Sequence, residues 1–294
     1  WKRSNSIGGK MKLYRITIKL NSSLITPLKG DTIWGCYVWG IANHEGEKAV
    51  QEFLEQCKTE EPSLIVSSAF PKGYLCKNIP EVQPRENTLT KATYSQIKKN
   101  KKCKYIAASD FIDKNSQSES ADISFRKNSV AHNRINRLTD NVQDGGLFTN
   151  EEMWCNNKEF DLYILSSYTA ERVTELTEWA FENGFGADAS TGKGYITVSA
   201  EAEEIHTAKT GNKYMALGPF VEKIPLNNLH ADTFVRSGKV GGAFSSDHIP
   251  WKKTVVMYDE GAVFESDKKI QYVDLRWQNN LYYLKLAHPQ KDEK

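Results

Sequence analysis

The order of strand and helix patterns between residues 12 and 200 is the feature that most constrains the fold of this 294-residue chain. Alternating apolar and polar residues predict strands, whereas apolar residues three and four positions apart predict the buried face of a helix. The strand patterns are Lys12–Leu20, 64–70, Glu159–Ser166 and 194–200. The helix patterns are 31–41, with Asp31 as the expected N-cap, 49–57, and 169–180, with Thr169 as the expected N-cap. The order is therefore strand, two helices, two strands, helix, strand.

This order predicts an α+β fold of tandem ferredoxin-like (RRM-like, βαββαβ) domains. The first domain is expected at 11–202, with a long insertion at about 78–150, where prolines and polar residues replace the periodic patterns. The second domain is expected at 203–294 and is more β-rich. Its strand patterns are 214–220, 255–258, 262–265, 272–277 and 281–286, with one short helix predicted at 226–235. Residues 1–10 resemble an expression remnant, with Met11 as the expected natural start.

The composition excludes several classes of protein. The chain has a mean hydropathy of −0.57 and contains no apolar run of about 18 residues, so no membrane span is expected. The five cysteines are odd in number, scattered and without a CxxC pair. This usage argues against a zinc site and a disulfide scaffold, and it fits a reducing cytoplasm. We expect neither a metal nor a cofactor.

The net charge of +2 conceals a basic middle region. Residues 85–137 contain twelve Lys and Arg against five Asp and Glu, so the rest of the chain is mildly acidic. A localised basic region on an acidic body indicates contact with a polyanion over part of the surface. The alternative is a solvated, lysine-rich loop without a ligand.

A glycine-rich loop at 184–194 is the strongest candidate for a binding site, and we expect Gly186, Ser190, Gly192, Lys193 and Gly194 to contribute to it. It lies between a helix pattern and a strand pattern, and glycines let backbone amides approach a phosphate closely. The spacing does not fit a P-loop, and the strand and third glycine of a dinucleotide-binding turn are missing. The alternative is a tight helix-to-strand turn that binds nothing.

A second candidate is the segment 131–137. Its side chains suit phosphates, sugars and base edges, and the residues concerned are His132, Asn133, Arg134, Asn136 and Arg137. The alternative is the polar surface of a helix or hairpin. A further segment rich in glycine and basic residues contains Arg236 and Lys239.

Four segments together resemble the RAMP superfamily of CRISPR proteins and, more narrowly, the fourth Csm subunit of type III-A interference complexes. These segments are 26–35, 132–137, 184–194, and 239–242 with 261–264. The resemblance implies a non-catalytic subunit that caps the 5′ end of the CRISPR RNA by gripping its repeat-derived handle. It also implies docking to the large polymerase-like subunit and to the first backbone subunit. The target-cleaving backbone relatives carry an aspartate in a long loop after the first strand, but 21–30 contains none here.

The chemistry of the candidate residues fits single-stranded RNA. The glycine-rich loop with Ser190 and Lys193 is expected to hold phosphates, and Arg134 and Arg137 to pair with phosphates or stack under bases. His132 and Asn133 are expected to bind base edges or ribose. Arg236 and Lys239 would extend the track from the second domain.

Two other functions remain open from the sequence. A metal-independent endoribonuclease that trims precursor guide RNA would need a histidine as general acid or base, and His132 is the only attractive candidate. A purely structural scaffold would use the glycine-rich loop for protein contacts only.

Overall fold

The computed structural model describes residues 11–57, 62–79, 103–108, 123–206, 213–221, 226–238, 251–265 and 286–287. The helices are α1 (Gly30–Glu45), α2 (Glu47–Cys57) and α3 (Ala170–Phe181). The first nine strands are β1 (Lys12–Leu20), β2 (Leu64–Val66), β3 (Phe70–Pro71), β4 (Tyr74–Cys76), β5 (Tyr105–Ala107), β6 (Phe125–Asn136), β7 (Asn141–Cys155), β8 (Glu159–Ser166) and β9 (Ile196–Glu204). The last six are β10 (Lys213–Met215), β11 (Asn227–His230), β12 (Thr233–Arg236), β13 (Val255–Tyr258), β14 (Val263–Glu265) and β15 (Leu286–Ala287).

The first sheet has β1 and β8 at its centre. Its strand order is β2–β8–β1–β9, every neighbouring pair is antiparallel, and β3 extends the pairing along β8. This is the strand order expected for a βαββαβ unit, in which the first and third strands lie between the second and fourth. Alternate side chains of the central strands, such as Ile16 and Leu162, are fully buried in the core that also contains α1 and α3.

The two helices on this sheet cross closely at Gly40. A Cβ atom at this position would lie 2.9 Å from the backbone of Trp179 in α3, so a larger residue would push the helices apart. Thr169 is the N-cap of α3 and accepts a hydrogen bond from the amide of Arg172, as predicted. The predicted cap of α1 is wrong: Lys29 is the N-cap, and Asp31 lies inside the first turn, where its carboxylate is paired with Arg236.

The described part of the predicted insertion is mainly an antiparallel hairpin formed by β6 and β7, hereafter the long hairpin (125–155). The short pair β4–β5 lies beside it in sequence. The second strand of the long hairpin, β7, continues past residue 150 to Cys155. Only three residues then separate it from β8 of the first sheet. The domain and insertion boundaries stay predictions.

The second region is built from strands, as expected. One sheet has the order β11–β14–β10–β15, and β12 pairs with β13. The helix predicted at 226–235 is wrong, because these residues form β11 and β12 with a positive φ of 50° at Asn228. In 233–236, exposed and half-buried positions alternate, and this strand period prevails over the helical spacing of Leu226, Leu229 and Phe234.

The remaining predictions for the second region are met in part. The predicted strands 255–258 and 262–265 are present, and 214–220 is reduced to a short strand followed by a bridge from Phe220 to Tyr258. Residues 272–277 and 281–285 lie outside the described residues, as do 1–10. The described parts of 213–265 contain no helix, so a second ferredoxin-like unit stays a prediction, whereas the α+β class is confirmed. Along the described ranges, no helix is both long enough and apolar enough to cross a membrane.

An ion cluster joins the two regions at the start of α1. The ammonium group of Lys29 bonds to the carboxylates of Asp259 and Glu260 and lies 4.7 Å from the ring centroid of Phe234. Burial raises the pKa of Glu260 to about 7, although the nearby charge of Lys29 opposes this rise. The native state therefore binds a proton on Glu260 more tightly than the unfolded chain does. The contribution of this group to stability is largest below its unfolded pKa and falls as the pH rises through about 7.

We expect the variant Glu260→Gln to gain stability relative to the natural protein as the pH rises from 5 to 8, by about 1–3 kcal/mol. The reason is that the amide carries no charge to desolvate at any pH. Urea unfolding of both proteins at several pH values measures this difference. The exposed Glu201→Gln is the control and should show no such trend. A pH-independent difference for Glu260→Gln would contradict the assignment.

Candidate nucleic-acid interface

The long hairpin and the glycine-rich loop (184–194) are joined by side chains at the root of the hairpin. Glu152 of β7 forms an ion pair with Lys193, with 2.5 Å between Oε1 and Nζ, and accepts a hydrogen bond of 2.8 Å from the hydroxyl of Ser23 at Oε2. Asn150 donates from Nδ2 to the carboxylate of Asp188 at 2.8 Å. The two sequence-predicted segments therefore belong to one structural unit.

The carboxylate of Glu152 is held in its charged form at this junction. Its side chain is 3% exposed. The ion pair with Lys193 lowers the pKa of Glu152, with further lowering from the hydrogen bond of Ser23 and from His132, and these effects outweigh burial. Sequence reasoning missed Glu152. The only local signal for Glu152 was its place in the strand pattern. Alternation along β7 puts it on the same face of the hairpin as Phe148 and Asn150.

The glycines of the loop are required by close packing against the connection between β1 and α1. Gly194 has φ +63°, donates its amide to the carbonyl of Ser23, and leaves no room for a Cβ beside the carbonyl of Phe185. Gly186 has φ +76°, and a Cβ there would lie 2.5 Å from the side chain of Thr26. The tight-turn interpretation therefore explains these two glycines.

Most amides of the loop already donate within the protein. The amides concerned are those of Gly184, Phe185, Ala187, Thr191, Gly192, Lys193 and Gly194. Fewer amides of the loop are therefore free to donate to a phosphate. Ser190 and Gly192 remain exposed, and a Cβ on Gly192 would meet nothing within 4 Å. The outer face of 190–192 is the part of the loop that is open to a ligand.

The residues predicted in 131–137 lie on the outer half of the long hairpin. His132 lies opposite Phe148, and their rings stack with centroids 5.4 Å apart and planes 15° apart. The Nε2 atom of His132 is buried and has no hydrogen-bond partner among the described residues. The guanidinium carbon of Arg134 lies 6.0 Å from the ring centroid of Phe148. A hairpin surface was the alternative interpretation of the segment. Four of the five predicted residues, all except Arg137, lie along β6.

The end of the hairpin is exposed and carries both charged and apolar groups. Asn133, Arg134, Asn136 and Arg137 are all exposed. The side-chain oxygen of Asn136 accepts a bond from the amide of Leu138 and so closes the turn. The exposed apolar side chains are Ile135, Leu138, Val142, Leu147 and Phe148. Neither Arg134 nor Arg137 forms an ion pair with a described residue, so both guanidinium groups are available to an anion.

Arg236 is engaged elsewhere. Its Nε lies 2.5 Å from a carboxylate oxygen of Asp31, and its guanidinium also bonds the hydroxyl of Thr32. Burial lowers the pKa of the neighbouring Lys252. The contacts that hold Arg236 involve α1 and neither the hairpin nor the glycine-rich loop. Lys239, the other predicted residue of this segment, lies outside the described residues.

The role of Gly194 in packing can be measured against Gly192. We expect Gly194→Ala to lower the free energy of unfolding by at least about 2 kcal/mol more than Gly192→Ala. Both positions have a positive φ, but only at Gly194 does an added Cβ collide with backbone. Urea denaturation of the two variants gives the comparison. Equal losses would show that the backbone conformation alone, rather than the contact with Phe185, determines the cost.

Comparison with known proteins identifies the fold. No protein-family model matches the chain, and no curated protein matches it. Solved structures do match, among them a Csm1–Csm4 cassette in complex with AMPPNP (TM-score 0.57, 16% identity, 96% of this chain and 100% of the other). A Csm1–Csm4 cassette in complex with pppApA gives a TM-score of 0.56 at 15% identity, covering 96% and 100%. A Csm3–Csm4 subcomplex of the type III-A CRISPR–Cas interference complex gives 0.51 at 13%, covering 95% and 100%.

The structural neighbours in these complexes are the Csm4 chains. At the level of fold, this confirms the resemblance inferred from the four sequence segments. The chain therefore has the fold of the Csm4 subunits of type III CRISPR–Cas complexes.

Proposed function

We propose that this chain is a non-catalytic RNA-binding subunit of a type III-A CRISPR effector complex that caps the 5′ handle of the guide RNA. The observation that carries the proposal is a pair of arginines, Arg134 and Arg137, that form no ion pair with a described residue and lie on a hairpin fixed to the glycine-rich loop. The shared fold with Csm4 chains adds support, because those neighbours were solved inside CRISPR assemblies.

The hairpin offers the groups that single-stranded RNA requires. Guanidinium groups pair bidentately with phosphates, and the stacked rings of His132 and Phe148 present an aromatic surface to unstacked bases. Asn133 adds a donor and an acceptor for a base edge or a ribose hydroxyl. Ser190 and Gly192 of the loop would continue the path toward the root of the hairpin.

The proposed partners are the large polymerase-like subunit and the first backbone subunit. The Csm4 neighbours were solved with Csm1 in the cassettes and with Csm3 in the subcomplex. Assembly with these two subunits and the guide RNA would take place in the cytoplasm. No metal or cofactor is assigned a role in this proposal.

The double variant Arg134→Ala/Arg137→Ala should lower the guide-RNA content of the assembled complex at least about tenfold, since two charge-assisted phosphate contacts are lost. The measurement is RNA content per protein after co-purification, followed by crosslink mapping of the RNA. The control is Lys12→Gln/Lys48→Gln, which removes the same charge from β1 and α2. Normal RNA loading in the arginine variant would contradict the proposal, and a crosslink map centred on the RNA 3′ end would contradict 5′ capping.

The competing enzymatic function depends on His132, whose Nε2 atom lacks a partner among the described residues. Our proposal predicts that the purified protein leaves labelled repeat RNA intact in EDTA. The ring of His132 is packed against Phe148, and Glu152, the carboxylate that interacts with it, is already bound by Lys193 and Ser23. Gel analysis of the labelled RNA tests this, with His132→Ala as the comparison. Site-specific cleavage that His132→Ala abolishes would replace our proposal with an endoribonuclease.

A further inference from the structure

The long hairpin has little apolar support of its own. Nearly every residue of β6 is exposed, and in β7 only Gly146 and Glu152 are buried. Met153 packs against the hydrophobic core between the first sheet and its helices, and its backbone pairs with that of Leu24. The orientation of the hairpin therefore depends on a few contacts near its root rather than on burial of a hydrophobic face.

Glu152 is the most constrained of these contacts. One of its carboxylate oxygens binds Lys193 of the glycine-rich loop and the other binds Ser23 of the connection after β1. Two partners on two different segments fix both the position and the rotation of the carboxylate. Removing one partner of a buried ion pair leaves an uncompensated charge, so this junction resists rearrangement.

A small change in the hairpin's orientation at Glu152 produces a large displacement at its turn. Eleven residues separate Glu152 from Asn141 at the turn, which corresponds to about 35 Å of strand. A rotation of about 10° at the root would thus move the turn by several ångströms, more than the tolerance of a phosphate hydrogen bond.

We propose that Glu152 is a positioning residue: through its ion pair with Lys193 it sets the angle between the long hairpin and the glycine-rich loop. Lys193 accordingly serves this junction and does not bind phosphate. The consequence for RNA rests on the proposed function above, because the hairpin carries Arg134 and Arg137. The consequence for the hairpin itself does not depend on RNA.

A double-mutant cycle in the full chain tests this assignment, using Glu152→Gln, Lys193→Gln and the combined variant. The matched control is the cycle on Lys127 and Glu151, an exposed pair at 2.9 Å on the opposite face of the same ladder. The first measurement is hydrogen exchange of the amides of 141–155 without RNA. The second is the affinity for repeat-derived 5′ RNA at several salt concentrations.

We expect Lys193→Gln to reduce exchange protection of the hairpin at least about tenfold, because it leaves the buried carboxylate unpaired. The combined variant should recover most of that loss, since two amides can hydrogen-bond to each other. The control cycle should change protection by less than about threefold. Equal effects of Lys193→Gln and Lys127→Gln, or losses that simply add in the combined variant, would overturn the proposal.

The RNA measurement separates positioning from direct binding. Positioning predicts that Glu152→Gln and Lys193→Gln each weaken RNA binding about tenfold, with an unchanged dependence on salt, because no phosphate contact is lost. If Lys193 bound phosphate, Lys193→Gln would reduce the salt slope by about 0.7, and Glu152→Gln would release the ammonium and leave affinity equal or higher. That second pattern overturns the proposal. If the natural protein binds no RNA, the proposed function fails and the exchange cycle alone decides the role of Glu152.

Discussion

The connection between β1 and α1, residues 21–29, is the constraint on which the arrangement of the molecule depends. It begins where the central strand of the first sheet ends, and its groups contact three separate parts of the chain. Ser23 and Thr26 bond the glycine-rich loop, and Ser22 bonds Tyr195 directly after it. Ser23 and Leu24 also hold the long hairpin. Lys29 binds the turn after β13. Because β1 is held by pairing on both edges, these contacts give the loop, hairpin and second region a common fixed reference.

Two cations that resemble ligand-binding residues in sequence are used to join these parts. Lys193 pairs with Glu152 and Arg236 pairs with Asp31. Each pair connects segments far apart in the chain, and a buried or half-buried charge requires a fixed partner. In this way the ion pairs determine which segments lie together. Arg134 and Arg137 differ, since no described carboxylate pairs with them and both are exposed, so an external anion is the remaining partner by charge.

The sequence predicts the elements whose signals are local. The alternation in Lys12–Leu20 and Glu159–Ser166, and the Thr169 cap, correspond to β1, β8 and the start of α3. Asp31 was misassigned because a first-turn carboxylate and an N-cap differ by two positions, and its partner Arg236 lies more than 200 residues away. The helix predicted at 226–235 was wrong for the same reason. A few apolar residues in a short segment fit both a helical and a strand period, and the segment forms strands because it pairs with β13 and β14. The role of Glu152 could not be predicted from the sequence, because it depends on contacts with Ser23 and Lys193, which are distant in the chain.

The division of the cations also supports one location for the proposed RNA-binding surface over another. A surface centred on the loop backbone would need amides that are unpaired, yet seven of them already donate inside the protein. A surface centred on the outer hairpin has two available guanidinium groups, a stacked His132–Phe148 pair and exposed apolar side chains that the core does not use. Exposed apolar groups next to cations that have no described carboxylate partner favour a ligand with both flat faces and negative charge, as single-stranded nucleic acid has. On the proposed function, the glycine-rich loop serves chiefly as the base against which the hairpin is oriented, and its outer residues would complete the RNA-binding surface.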